Sequence, residues 1–462
     1  MPQMSYPAHV RATLVLGLPL IGGQLGQFLI HVTDVVMVGW YGVPDLAALV
    51  VANSIIMVLI LFGSGFAWAV MPLAAAAAEA GDDLVVRRVT RMGLWASLGF
   101  AVLTVPPLVF TPDLYGLMGQ PPRVALLAGQ YFAIAAWGVF PALIIMVLRS
   151  YLSALERTQV VLWVTLASAV ANAGFNWVLI FGNLGAPELG VRGAAIASIL
   201  TNLVAMAGLA VYARWREPQH EIFVRLWRPD WSALRRVLRM GFPIGVTTLA
   251  EVGLFSAASI MMGWVGTEAL AAHGIALQLA TAVFMVHLGL SQAATVRAGR
   301  AYGRGDVGHL RRAALVAAAL SLVVALVTVA VFLAVPRPLI GLFLDPAEPQ
   351  LPAIMAIGVT LLAAAALFQV ADSVQVMALG VLRGVQDTRV PMIYAAISYW
   401  LLGAPVAYLL GFTAGWGGVG IWVGLAFGLA CAAVLMLRRF WWYIVPGLER
   451  AEGSPARPAF VM

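Results

Sequence analysis

Twelve stretches of mostly apolar residues, each about as long as a bilayer is thick, dominate this chain. They cover 14–37, 46–78, 92–111, 124–148, 160–181, 193–213, 241–263, 269–296, 313–335, 352–381, 392–412 and 418–437. A helix crossing the hydrocarbon needs about 20 such residues, so the expected fold is an all-α integral membrane protein with twelve transmembrane helices. Several runs exceed that length, which predicts tilt, kinks or extension past the headgroups. The first ten residues hold no basic n-region and no A-x-A cleavage site follows, so 14–37 reads as a retained first helix, not a cleaved signal. Only 10% of the 462 residues are charged and the mean hydropathy is +0.94. Soluble chains carry about 25% charge. Disorder, collagen and secreted disulfide scaffolds are excluded. The one cysteine, Cys431, stands in an apolar run and forms no intramolecular disulfide.

A pI near 9.9 raises the question of nucleic acid, and the placement of the basic residues answers it. All 27 are Arg. With the N-terminus inside, 24 fall in segments on one side of the membrane and only Arg123, Arg192 and Arg337 on the other. The positive-inside rule makes the Arg-rich side cytosolic. Both termini are then cytoplasmic, and no nucleic-acid partner is needed.

The two halves of the chain repeat at an offset of 224. Gly17-Leu18-Pro19 pairs with Gly241-Phe242-Pro243, Gly39-Trp40 with Gly263-Trp264, Gly81-Asp82 with Gly305-Asp306 and Arg87-Arg88 with Arg311-Arg312. The offset drifts to 230 later, where Leu152 and Thr158 meet Leu382 and Thr388. Shared hydrophobicity does not align Gly, Pro, Asp and Arg, so the reading is duplication into two pseudo-symmetric six-helix bundles. Six spans per repeat give both halves the same sense, as in transporters with parallel repeats. The chain divides into an N-lobe (1–213), a polar linker (214–240), a C-lobe (241–437) and a cytoplasmic C-terminal tail (438–462). The linker is expected to be either a loop with a short interfacial helix, Trp227 and Trp231 at headgroup level, or a plain solvated tether.

Three acidic residues stand inside apolar runs: Asp34, Glu251 and Asp372. An Asp at a helix centre costs about 2.5–3.5 kcal/mol on insertion scales, and such residues mark ion or substrate paths. In the repeat, Glu251 aligns with Gln27 and Asp34 with Ala258, so the charges break a symmetry the scaffold keeps. Asn172 and Asn176 lie four apart on one helix face; they are either oxygen ligands for a hard cation or interhelical hydrogen-bonded glue. His31, His273 and His287 are scattered and read as hydrogen-bonded helix residues. No Walker, G-x-S-x-G, HExxH or zinc-spaced Cys motif is present, so the chain reads as a transporter without cofactor, not an enzyme. Pro19 and Pro243 interrupt backbone bonding in the first and seventh helices, as hinges or as fixed kinks.

These residues resemble the multidrug and toxic compound extrusion (MATE) family, in its bacterial NorM-like branch. The likeness rests on G-L-P…D-V-V-M-V-G in the first helix, N-x-x-x-N-x-x-x-I-F-G in the fifth, G-F-P-I…A-E in the seventh and L-R-G-V-Q-D-T-R-V-P at Leu382–Pro391. It implies a V-shaped pair of bundles that exports cationic, often aromatic drugs in exchange for Na+ or H+. By matching position, Asp34 with Asn172 and Asn176 resembles the family's N-lobe coupling site, and Glu251 with Asp372 its C-lobe acidic pair. Either set is a candidate Na+ site. In Na+-coupled relatives a Tyr stands four residues before the helix-10 Asp, where this chain has Phe368. Phe255, Gln278, Phe284, Met285 and Phe368 are candidates for the substrate cavity, the aromatic and Met side chains offering cation–π and apolar contacts. The resemblance favours a monomer. The rival reading is a lipid or lipid-linked oligosaccharide flippase of the same superfold, which should want a cationic cavity, whereas the intramembrane charges read here are all acidic.

Overall fold

A computed structural model describes residues 4–111, 114–345 and 349–452, and every regular element among them is helical. Twelve helices are long and apolar enough to cross a membrane: α1 (Tyr6–Tyr41), α2 (Val43–Glu79), α3 (Asp83–Val109), α4 (Pro122–Ala154), α5 (Thr158–Phe181), α6 (Val191–Arg216), α7 (Trp231–Val265), α8 (Thr267–Arg304), α9 (Val307–Ala334), α10 (Leu351–Gly384), α11 (Arg389–Thr413) and α12 (Gly417–Arg450). Most outrun the apolar stretches that announced them, because helix continues where polar residues reach past the hydrocarbon. Thus α12 takes up 438–450, with Arg439 on Asp387 at 2.8 Å and Arg311 on Glu449 at 2.9 Å. The last ten residues of the expected tail lie outside the described ones.

The duplication is visible in the turns. Gly42 and Gly266 precede α2 and α8. Asp82 caps α3 by accepting from the Val85 amide, and Asp306 caps α9 by accepting from the His309 amide. Gly81 and Gly305 hold φ of 72° and 71°, the left-handed conformation that lets a helix stop and turn without a Cβ clash. At the later offset, Glu156 and Gln386 share a φ of 61° and 63°.

The packed units do not follow the linear halves. One, here the N-unit, is Gly22–Gly245; the other, the C-unit, is Met1–Ile21 with Val246–Met462. Each boundary falls two residues beyond a proline, Pro19 in α1 and Pro243 in α7, and the two boundaries are themselves 224 apart. Both helices run unbroken through their prolines. In the N-unit, the first half of α7 is seated on α2: a Cβ on Gly65 would lie 2.4 Å from the Gly241 carbonyl oxygen and the Gly245 nitrogen. In the C-unit, the first half of α1 is seated on α8, where a Cβ on Gly289 would lie 2.6 Å from the Ile21 nitrogen. Gly65 and Gly289 are repeat partners. Close backbone approach through small residues is how helices associate where lipid is as apolar as leucine.

Elsewhere in the C-unit the same device recurs. Gly380 and Gly384 of α10 press on Ser291 and Ala298 of α8, and the Ser291 and Thr295 hydroxyls donate to the Val376 and Gly380 carbonyls at 2.8 and 2.9 Å. Gly424 and Gly428 of α12 meet Ala407 and Gly403 of α11. Around these contacts α11 opens into π-helical turns at Ile397–Gly403 and Leu409–Thr413.

The linker is a loop with one short helical turn, and it is not a free tether. Helix α7 begins at Trp231, so the connection shortens to 217–230 with a single 3-10 turn at Pro218–His220. It is clamped to the N-unit. Arg157 pairs with Glu217 at 2.9 Å, the Tyr151 hydroxyl lies 2.6 Å from His220 Nδ1, Arg91 donates to the Glu221 and Ile222 carbonyls, and the Trp95 indole donates to the Leu226 carbonyl at 2.7 Å. Asp230 starts α7 by accepting from Ser232 and from the Ala233 amide. Partial burial opposes its charge, but those hydrogen bonds and Arg88 outweigh it and hold its carboxyl below the usual value.

Replacing Gly65 with Ala should destabilise the protein by about 1–3 kcal/mol through overpacking. Gly99→Ala, at a position with nothing within 4 Å of the new Cβ, should stabilise by up to about 1 kcal/mol. Melting temperatures in detergent decide it; equal shifts for the two would remove the claim that Gly65 sets the α2–α7 distance.

Candidate functional site

In the N-unit, α1 presents Asp34 to α5 and α6. Asn172 and Asn176, one turn apart on α5, donate through their amide nitrogens to Asp34 Oδ1 at 2.9 and 2.7 Å, and the Ser198 hydroxyl of α6 donates to Oδ2 at 3.3 Å. The three residues singled out from sequence are therefore brought together, and Ser198 joins them. The amides face the carboxylate with nitrogen rather than with the carbonyl oxygens expected of cation ligands. A carboxylate among apolar helices takes whatever donors are in reach, since an unsatisfied buried charge is costly. Only Asn176 Oδ1 remains buried without a partner.

Beside this group lies a residue that sorting by loop had placed outside the helices. Arg149 lies within α4 and donates to the Gly23 carbonyl at 3.2 Å, the Thr165 hydroxyl at 2.8 Å and Gln27 Oε1 at 3.1 Å. In the C-unit, Arg383 lies within α10, and Glu251, the repeat partner of Gln27, is among the charges that act on it. Both arginines stand near helix ends, just beyond the apolar runs 124–148 and 352–381, whereas Asp34, Glu251 and Asp372 stand inside theirs. Position along the chain shows where an Arg is attached, whereas its long side chain decides what it meets.

The C-unit site has the opposite character. Asp372 is 1% exposed, and both of its oxygens are buried without a hydrogen-bond partner. So are Glu251 Oε1, Gln369 Oε1 and Gln375 Oε1. Gln375 sits three residues beyond Asp372 on the same face of α10 and donates to the Tyr399 hydroxyl of α11 at 2.7 Å. Tyr399 is fully buried in the first π-helical stretch, near enough to Glu251 and Asp372 to feel their charge when they ionise. The neighbouring Trp400 indole donates to the Ala250 carbonyl at 3.2 Å, tying α11 to the segment that carries Glu251.

An aromatic cluster closes the same region. Phe368, one turn before Asp372, meets Phe255 edge-on at 5.6 Å and Trp422 at 5.4 Å, and His273 lies on Trp422 at 5.6 Å. Phe368 is 3% exposed and belongs to the packed core. Phe284 and Met285 are half-buried, and Gln278 is exposed. His273 and His287 are held by serines, His273 with Ser259 at 3.0 Å and His287 with Ser321 at 2.8 Å, as expected for hydrogen-bonded helix residues. Sequence reasoning missed Gln369, Gln375, Ser198 and Tyr399. The signal for Tyr399 is a lone phenol in an apolar run, but which way it faces depends on the π-turn.

Comparison with known proteins agrees in one direction. The MatE family model matches residues 19–178 and 243–409, two stretches whose starts are the repeat-related prolines. The chain is 47% identical over 454 residues, covering 98% of it and 96% of the relative, to the probable multidrug resistance protein NorM of Rhizobium meliloti (strain 1021). It is 46% identical, covering 94% of each chain, to the protein of that name from Agrobacterium fabrum. Among solved structures, an outward-facing conformation of a multidrug resistance MATE family transporter of the MOP superfamily superposes with a TM-score of 0.87 at 22% identity, covering 96% of this chain and 97% of that one. At that identity the likeness speaks for the fold.

Asn176→Ala should cost stability in the wild-type protein and less in an Asp34→Asn background. A double-mutant cycle on melting in detergent should return a coupling of about 1.5–3 kcal/mol, the usual range for a hydrogen bond to a charged group. Simple additivity would mean that Asn176 holds the helices together without serving Asp34.

Proposed function

This chain belongs to the MatE family, and from that membership and the geometry above we propose that it is a secondary active multidrug efflux transporter, exporting organic, often cationic and aromatic compounds in exchange for Na+ or H+. The observation that carries the proposal is the contrast between its two carboxylate sites. In the N-unit, Asp34 is already met by three donors. In the C-unit, five buried oxygens from Asp372, Glu251, Gln369 and Gln375 have none.

Oxygen acceptors in low dielectric that lack donors call for a cation. A proton, a Na+ ion or an organic cation can each neutralise Asp372 and Glu251, and no two do so at once in a shared site. An all-oxygen set suits a hard ion such as Na+, and the same carboxylates accept a proton. The Tyr399 hydroxyl, already accepting from Gln375, keeps its own hydrogen to donate to an empty carboxylate and its lone pair for a bound ion. It thereby brings to this site a hydroxyl that Phe368 does not. Asp34 with Asn172 and Asn176 is the second, N-unit coupling site, where an arriving proton or cation must displace amide donors.

Exchange follows if each occupant favours a different state of the transporter. The unit boundaries just beyond Pro19 and Pro243 place the flexible points of α1 and α7 where helical backbone bonding is interrupted. Phe255, Phe284 and Met285 offer the apolar and aromatic contacts of a drug site, and Gln278 a polar one. The transporter works as a monomer in the bacterial inner membrane, with both termini on the cytosolic, Arg-rich side. A flippase for lipid-linked pyrophosphates would need cations to offer its substrate, but Arg149 is committed to three protein oxygens.

Efflux from proteoliposomes under separately imposed Na+ and H+ gradients tests the proposal. Asp372→Asn and Glu251→Gln should each abolish gradient-driven efflux while folded yield stays intact; wild-type-like efflux from both would end the C-unit coupling model. Tyr399→Phe removes one hydroxyl without removing the ring. It should lower ion-driven turnover about tenfold, the worth of one hydrogen bond to a charged group. Unchanged turnover would make Tyr399 a packing residue.

A further inference from the structure

We propose that the N-unit carries a binding site for the headgroup of an acidic phospholipid, formed by Arg87, Arg91, Arg225 and Arg228 together with Trp227 and Trp231. The site lies where the 217–230 connection folds back on the start of α3. Its cations outnumber their partners. Glu221 answers Arg87 at 2.7 Å, and Asp230 answers the neighbouring Arg88 at 3.3 Å. Arg91 spends its hydrogen bonds on the carbonyls of Glu221 and Ile222, and the one Glu221 carboxylate is shared between the charges of Arg91 and Arg87. Arg225 and Arg228 are exposed, and neither has an acidic partner among the described residues.

Arg225 is held where it is at a cost. Its φ is +56°, left-handed for a residue with a full side chain, a conformation worth about 1–3 kcal/mol of strain. There its charge repels that of Arg91. A fold that strains its backbone to hold like charges together is one that an anion between them would stabilise.

The tryptophans say where that anion is found. Trp227 and Trp231 are 73% and 70% exposed, large apolar side chains with nothing of the protein over them. Tryptophan at the end of a spanning helix settles at headgroup depth, and Trp231 is the first residue of α7. The arginines therefore sit level with lipid phosphates rather than in open water. A zwitterionic lipid brings its own cation to the phosphate. An acidic one leaves the charge for the protein, at about 1 kcal/mol for each basic residue near the surface. The inference is independent of what the protein transports and needs only that its helices cross a bilayer.

The test is lipid titration of the delipidated full-length protein in neutral detergent, followed by native mass spectrometry. Phosphatidylglycerol, phosphatidylcholine and inorganic phosphate are the three probes. Wild type should bind phosphatidylglycerol at least about tenfold more tightly than phosphatidylcholine, and inorganic phosphate should not displace it. The pair Arg225→Gln with Arg228→Gln should erase that preference, and Arg225→Lys with Arg228→Lys should keep it. Neutralising the exposed Arg214 and Arg216 to Gln should leave it intact. Equal binding of the two lipids by wild type overturns the proposal, whatever the variants do. So does a preference that survives the 225/228 Gln pair, or one lost equally in the 214/216 pair, or displacement of lipid by phosphate.

Discussion

Lipid gives helices no hydrophobic reason to leave it for one another, so this structure depends on how closely its backbones can approach. Two contacts decide its organisation. Gly65 admits the backbone of α7 at Gly241 and Gly245, and its repeat partner Gly289 admits α1 at Ile21. Each contact attaches the first half of one long helix to the unit built mostly from the other half of the chain. Side chains at these glycines would force the helices apart, and the unit boundaries near Pro19 and Pro243 would lose their meaning. The same logic runs through Gly380, Gly384, Gly424 and Gly428, where the missing Cβ lets α8, α10, α11 and α12 come close enough to place Tyr399 beside the face of α10 that carries Asp372.

Against that shared scaffold, the polar groups divide the units. At repeat-related positions, Gln27 in the N-unit meets Arg149, whereas Glu251 in the C-unit stands within the field of Arg383. Asp34 is met by three donors, whereas both oxygens of Asp372 are buried without one. A duplicated fold can thus hold one carboxylate whose hydrogen bonds are made and another whose oxygens are left without donors. Symmetric packing and asymmetric charge are compatible because packing depends on volume, and Gln27 and Glu251 are nearly isosteric.

The connection between the halves shows the same economy on the surface. Its acids and its backbone carbonyls take up Arg87, Arg88, Arg91 and Arg157, which turns a polar loop into a fixed part of the N-unit. Aromatic residues that would weaken a soluble surface are tolerated there because a bilayer surface is their solvent.

The sequence by itself determined the twelve spans, the duplication, the side that holds the arginines and the carboxylates Asp34, Glu251 and Asp372. These are properties of composition and periodicity, and lipid enforces them residue by residue, since each apolar run must span and each buried charge must be accounted for. It also placed Asn172 and Asn176 on one face, because four residues make about one turn. Only the tertiary structure decided which helices complete each site. The amide nitrogens on Asp34, the reach of Arg149 into the N-unit, Tyr399 on Gln375 and the clamped 217–230 loop all join residues far apart in the chain. Such contacts depend on helix rotation, and in α11 a π-turn resets that rotation where no alternation of apolar and polar residues records it. For the same reason the exchange of half-helices between units was illegible: linear halves are a matter of order along the chain, whereas packed units are a matter of which backbones can touch.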